Sequence, residues 1–224
     1  MKPPRFPLPS GSAALVPSVL SADFGCLKNS LAPVKKLAGW VQLDVMDGRF
    51  VPNISFGPVL VPFVARASGL PVDAHLMVAE PLKFIDAFAR AGAALITVHA
   101  EARGAAACLK KIKALGLKAG LALRPKTPLK KALPFLGGLD LLLIMTVEPG
   151  FGGQAFMPEM LPKVKAARAA IARSGRKVWL QVDGGINADT AAQAAAAGAD
   201  SLVIGSALFS APDPAAFLRR LKGL

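Results

Sequence analysis

Short runs of β-branched and aliphatic residues alternate with longer Ala-, Leu- and Lys-rich runs along the chain. The short runs predict strands at Ala14–Leu20, Trp40–Val45, Val72–Leu76, Leu95–Val98, Lys118–Leu123, Leu139–Met145, Val178–Val182 and Ser201–Ile204. The longer runs carry helical spacing, for example Leu82–Ala91, Ala105–Leu115, Met160–Ser174 and Ala188–Ala197. Gly92, Gly116, Gly175 and Gly198 stand where such helices should stop. Eight strand–helix units in 224 residues predict one α/β domain, a (β/α)8 barrel spanning 13–224. A doubly wound open sheet is the alternative, but it wants a glycine-rich fingerprint after its first strand, and Ser18-Val19-Leu20-Ser21-Ala22-Asp23 is not one. Residues 1–12 hold four prolines and no periodicity, and are expected to form a flexible extension without the apolar stretch of a signal peptide.

Strand parity separates two faces. In the second strand Val41, Leu43 and Val45 oppose Gln42, Asp44 and Met46. In the third, Val72, Ala74 and Leu76 oppose Asp73, His75 and Met77; in the seventh, Val178, Leu180 and Val182 oppose Trp179, Gln181 and Asp183. Side chains alternate with period two, and polar groups under a covering helix would be costly to bury. Gln42, Asp44, Asp73, His75, Gln181 and Asp183 should therefore point into the barrel. Those nearest the strand ends should line its C-terminal mouth, where active sites of this fold sit.

Two carboxylates and a histidine converging there would repel and be desolvated unless a metal ion or an acid/base role compensates them. Glycines follow the last three strands: Pro149-Gly150-Phe151-Gly152-Gly153-Gln154, then Gly184-Gly185, then Gly205-Ser206. Backbone N–H groups exposed by such glycines bind phosphate oxygens, and the loops after strands seven and eight are the usual phosphate site of a barrel. Met46, Met77 and Met145 share the inward parity near strand ends. They are either core filler or a polarizable, water-excluding wall over a delocalised intermediate.

Charge changes the picture little. The net charge of +13 would suit nucleic acid, but the Lys and Arg scatter over helix faces instead of clustering, so no nucleic-acid partner is expected. A positive field would attract a phosphate ester. No run of about 18 apolar residues occurs, so no membrane span is expected. Cys26 and Cys108 lack metal-like spacing; both are read as buried free thiols, in keeping with a cytoplasmic location.

VPSVLSADF, LDVMDGRFVPN, FGP, HLMV, IMTVEPGFGGQAF, VDGGI and GSALF, in this order from Ala14 to Leu224, resemble the ribulose-phosphate 3-epimerase family. The resemblance implies a TIM barrel of the ribulose-phosphate binding type. It also implies interconversion of D-ribulose 5-phosphate and D-xylulose 5-phosphate, a step of the pentose phosphate pathway, with one divalent metal ion (Zn, Mn, Fe, Co or Mg). By that match Asp44 and Asp183 are the paired acid/base carboxylates and metal ligands. His75 is a ligand that also touches substrate, and Ser18 is a substrate-binding hydroxyl. Gly150, Phe151, Gly152, Gly153, Asp183, Gly184, Gly185, Gly205 and Ser206 form the phosphate and substrate clamps, and Met46, Met77 and Met145 the methionine wall. Asp47, off the inward parity, is structural. The chain departs from the pattern at Gln42, where the family has a metal-binding His, so whether Gln42 ligates stays open. Arg49 also stands in place of His, as a solvated or phosphate-facing cation.

Three functions compete on these residues: the pentulose-phosphate epimerase, an epimerase of a hexulose phosphate such as D-allulose 6-phosphate, and a non-catalytic phosphosugar binder whose metal site has decayed. Gln42 alone favours the last; retained Asp44, His75 and Asp183 oppose it. The expected partner is a small ketose phosphate, and a homo-oligomer is compatible with the sequence.

Overall fold

The structure is a computed structural model that describes residues 6–11 and 13–222. Eight strands run in chain order: β1 Ala14–Pro17, β2 Val41–Met46, β3 Val72–Met77, β4 Leu95–His99, β5 Lys118–Leu123, β6 Leu141–Met145, β7 Trp179–Asp183 and β8 Ser201–Ile204. All seven pairings are parallel, from β2 through β3, β4, β5, β6, β7 and β8 to β1. A parallel bridge between Ser18 and Gln42 closes the ring between β1 and β2. That closure makes the sheet a (β/α)8 barrel and excludes the open alternative.

β1 is shorter than its sequence suggests. Ser18 Oγ accepts from the Leu20 amide and turns the chain into a 3-10 turn over Val19–Ser21. This turn lifts Ser18 and Ser21 onto the mouth. The helices over Ala105–Ala114, Leu161–Ser174 and Ala188–Ala196 match their patterns to within a residue at either end. The segment expected to be helical from Leu82 opens as a 3-10 turn over Pro81–Lys83 and becomes α-helical at Ile85–Ala91.

Two cores follow from the parity of the strands. Leu43, Val45, Ala74, Leu76, Leu180 and Val182 pack outward against the helices. Inside, Trp40, Leu95, Leu141, Leu143 and Trp179 fill the lower barrel. Phe6 seals its base, 5% exposed, with its ring centroid 4.6 Å from that of Trp40. The Trp179 indole N–H donates to the Pro7 carbonyl at 3.0 Å. Phe6 and Pro7 are thus docked instead of belonging to a flexible extension, because an aromatic plug covers apolar surface that the open base would expose. Residues 1–5 and 12 of the expected extension lie outside the described residues.

Cys108 is buried as expected, but Cys26 is exposed. It ends a short 3-10 turn, Phe24–Cys26, and so has no covering face to bury it. No helix among the described residues is long and apolar enough to cross a membrane.

Candidate active site

The inward residues at the C-terminal ends of the strands surround a cavity of about 260 Å³. Ser18, Asp44, Met46, Met77, Met145, Asp183, Gly205 and Ser206 line it, together with the loops Gly150–Gly153 and Gly184–Gly185. Gln42 and His75 do not line it; they are fully buried in the barrel interior.

Strand register brings the polar groups together. Asp44 and His75 are Cα partners across β2 and β3, as are Met46 and Met77. Asp183 arrives from β7, beside Met145 on β6. The Ser18 hydroxyl donates to Asp44 Oδ2 at 2.6 Å. His75 Nδ1 lies 2.8 Å from Asp44 Oδ1 and 3.8 Å from Asp183 Oδ2. One oxygen each from Asp44 and Asp183 and one imidazole nitrogen of His75 lie within 4.8 Å of one another. Two carboxylates and an imidazole form a cluster capable of chelating a divalent metal ion.

The two carboxylates are not equivalent. Burial alone would push Asp44 up. The hydrogen bond and charge of His75, then hydrogen bonds from Ser18 and Gln42, outweigh it and hold Asp44 below the ordinary value. Burial and the charge of Asp44 raise Asp183, with only partial relief from His75 and Gln42. Burial would lower His75, yet the hydrogen bond and charge of Asp44, helped by Asp183 and Asp73, hold it above the usual histidine value. Below them Asp73 is pushed up to about 7 by burial, against the attraction of His75 and the hydrogen bonds of Thr97.

The glycine side of the mouth is built for close approach. Gly184 and Gly185 have φ of 121° and 68°. A Cβ on Gly184 would overlap Val147, and one on Gly185 would overlap the Phe156 backbone. Both glycines also line the cavity, so no side chain can be added on this side without displacing the protein behind it. Across it, Met46 and Met77 pack with Val51 and Phe50 as an apolar wall.

Asp47 accepts from the amides of Arg49, Phe50 and Ala79, which fixes the loop after β2. It is structural, as expected. Arg49 is a solvated cation that pairs with Glu80 at 3.7 Å and does not line the cavity. β4 adds residues that were not singled out from the sequence: Thr97 and His99, both buried, and Glu101 just beyond.

The family model for the ribulose-phosphate 3 epimerase family matches residues 14–209. The chain belongs to this family. It is 44% identical over 214 residues to the ribulose-phosphate 3-epimerase of Mycobacterium tuberculosis (strain ATCC 25618 / H37Rv), covering 95% of this chain and 93% of that one. It is 47% identical over 205 residues to ribulose-phosphate 3-epimerase 1 of Cupriavidus necator, covering 89% and 85%. Among solved structures it superimposes on 3-hexulose-6-phosphate synthase from Salmonella typhimurium with a TM-score of 0.66 at 20% identity, covering 94% and 97%. The tryptophan synthase A-subunit from Pyrococcus furiosus superimposes with a TM-score of 0.69 at 16% identity, covering 97% and 100%. At these identities the two structures bear on the fold alone.

Proposed function

We propose that this epimerase-family chain interconverts D-ribulose 5-phosphate and D-xylulose 5-phosphate by moving a proton at C3. Two carboxylates of unequal basicity facing one cavity, beside a glycine cradle, carry the assignment. The cradle of Gly184, Gly185, Gly205 and Ser206, with the loop Gly150–Gly153, receives the phosphate. Ser18 orients a substrate hydroxyl. β2 and β7 stand three steps apart around the ring, so Asp44 and Asp183 reach the reacting carbon from different sides. One removes the C3 proton and the other returns a proton to the opposite face. Asp183, with its raised affinity for a proton, suits the donor in one direction and the acceptor in the other. Met46, Met77 and Met145 exclude water from the planar intermediate.

Asp44, His75 and Asp183 would hold a divalent ion, which when bound would supply Lewis-acid polarisation of the substrate oxygens flanking the reacting proton. Two cysteines free of disulfides suit a reducing compartment, and we assign the protein to the cytoplasm.

The test is a coupled assay with ribulose 5-phosphate in deuterated buffer, before and after chelator treatment. Turnover should place solvent deuterium at C3. Retention of the original C3 hydrogen would rule out two-base transfer, and no turnover with any pentulose phosphate would overturn the substrate.

A further inference from the structure

Gln42 occupies an unusual place for an amide. It is fully buried, and its Nε2 donates to Asp44 Oδ1 at 2.8 Å and to Asp183 Oδ2 at 2.7 Å. The same nitrogen lies 3.4 Å from His75 Nδ1. Its two N–H bonds therefore tie together the two carboxylates of the cluster. The other end of the amide, Oε1, is buried with no hydrogen-bond partner. Leaving an acceptor orphaned is costly, and the two charge-assisted bonds at Nε2 offset that cost.

This orientation opposes a cation. An NH2 group has no lone pair to offer and points positive hydrogens at the space the three ligand atoms face. The amide is close to isosteric end for end, so a half-turn about its last torsion exchanges nitrogen and oxygen with little change of shape. The turned amide presents a carbonyl oxygen to the cluster. Its N–H groups then face the place where the orphaned oxygen now sits. The charge between the carboxylates decides which orientation is adopted.

We propose that Gln42 is a two-position amide latch. Without a cation its NH2 group bridges Asp44 and Asp183 and keeps the ligand set assembled. With a cation it turns over, and Oε1 becomes the fourth protein ligand. This rests on the reading of Asp44, His75 and Asp183 as metal ligands. The resulting set has three oxygens and one nitrogen, a harder site than one with a second imidazole. The chain should accordingly use Mn²⁺ or Mg²⁺ relatively better than a variant carrying Gln42→His, and that variant should bind zinc roughly ten-fold or more tightly than the wild type.

Two measurements on chelator-stripped full-length protein test the latch. The first is side-chain amide NMR of ¹⁵N,¹³C-labelled protein titrated with Zn²⁺, with the Gln42 resonances assigned by their loss in Gln42→Leu. The Nε2 protons should be protected from exchange without zinc, and the Nε2 and Cδ resonances should move together at saturation. Resonances that do not move overturn the latch. The second is a chelator competition that reads zinc affinity, alongside thermal melts of the metal-free proteins. Gln42→Leu should melt below the wild type without metal and bind zinc at least roughly ten-fold more weakly. A lower melt with unchanged or tighter zinc binding would leave a bridge that never ligates, and the latch fails. If neither wild type nor Gln42→His binds zinc, the metal reading itself is wrong and the latch falls with it.

Discussion

His75 Nε2 meets His99 Nε2 at 2.9 Å in the barrel interior, with the two rings stacked 5.0 Å apart. Two ring nitrogens at that distance share one hydrogen. Burial, then His75 and Arg124, pushes His99 down to about 4 against the hydrogen bond and charge of Glu101, so His99 is neutral at physiological pH. His99 Nδ1 lies 3.3 Å from Glu101 Oε2, and Glu101 is held at about 2, where burial is outweighed by His99, Thr127 and the Arg124 amide. The hydrogen on Nδ1 therefore goes to Glu101. His99 Nε2 accepts from His75, which leaves His75 Nδ1 facing Asp44 and Asp183. His99 and Glu101 act through His75, as positioning residues.

Replacing His99 with Phe keeps the ring and removes the acceptor. We expect metal affinity to fall about 10–100-fold, the usual cost of losing an outer partner of a ligating histidine. Glu101→Gln should cost less. The ¹⁵N resonance of His75 Nε2 should shift in His99→Phe, because its hydrogen loses its acceptor. An unchanged His75 spectrum would reduce His99 to core filling.

Asp183→Asn keeps the shape of the side chain and removes a base. The Gln42 amide loses one charged acceptor, and the cluster loses an anionic ligand. We expect kcat to drop by at least ~10²-fold, the scale of a positioned acid/base group, with a smaller effect on KM. Near-normal kcat would show that another group handles the proton on the β7 side.

Strand parity made most of this site readable. Asp44, Asp183, the methionines and the glycine loops all lie where alternation and strand ends place them, because the barrel interior leaves a polar side chain nowhere else to go. The same alternation puts Thr97 and His99 inward on β4, but LITVH lacks the row of carboxylates that drew notice elsewhere. Their role depends on register between strands, which a single sequence does not display. Docking of Phe6 was hidden for a similar reason. A lone aromatic among prolines has no periodicity, and its partner Trp40 is far along the chain.

Gly153 and Gly185 separate conformation from close approach. Both have positive φ, 73° and 68°, but a Cβ on Gly153 meets nothing within 4 Å whereas one on Gly185 would strike the Phe156 backbone. Gly153→Ala should cost about 1–2 kcal/mol of stability, the strain of a left-handed alanine. Gly185→Ala should cost more and raise KM for the ketose phosphate at least several-fold, since the cradle must shift. Denaturant unfolding and steady-state kinetics on both variants check this; equal losses would mean that backbone approach at Gly185 is unimportant.

Asp140 ties the end of one helix to the sheet, away from the mouth. Lys113 Nζ and Lys118 Nζ donate to it at 2.7 and 2.9 Å, and so does the Ala119 amide at 2.9 Å. Burial would raise its carboxyl, but the bonds from Lys113, Ala119 and Lys118 outweigh it and hold Asp140 below the ordinary value of 3.8. The folded state thus binds its proton more weakly than the unfolded state does. Stability from Asp140 is fully present above the unfolded value and is lost as pH falls through the lower folded value. Both lysines are more than a third exposed, so solvent screens the charges and the backbone amide carries much of the effect. Asp140→Asn should cost about 1–2 kcal/mol at pH 7. The gap to the wild type should begin to close below about pH 4 and vanish once both states are protonated. Unfolding free energies of the two proteins from pH 7 down to 3 measure the gap. A gap that stays constant over that range would mean that packing or the neutral hydrogen bond, not the charge, is what Asp140 supplies.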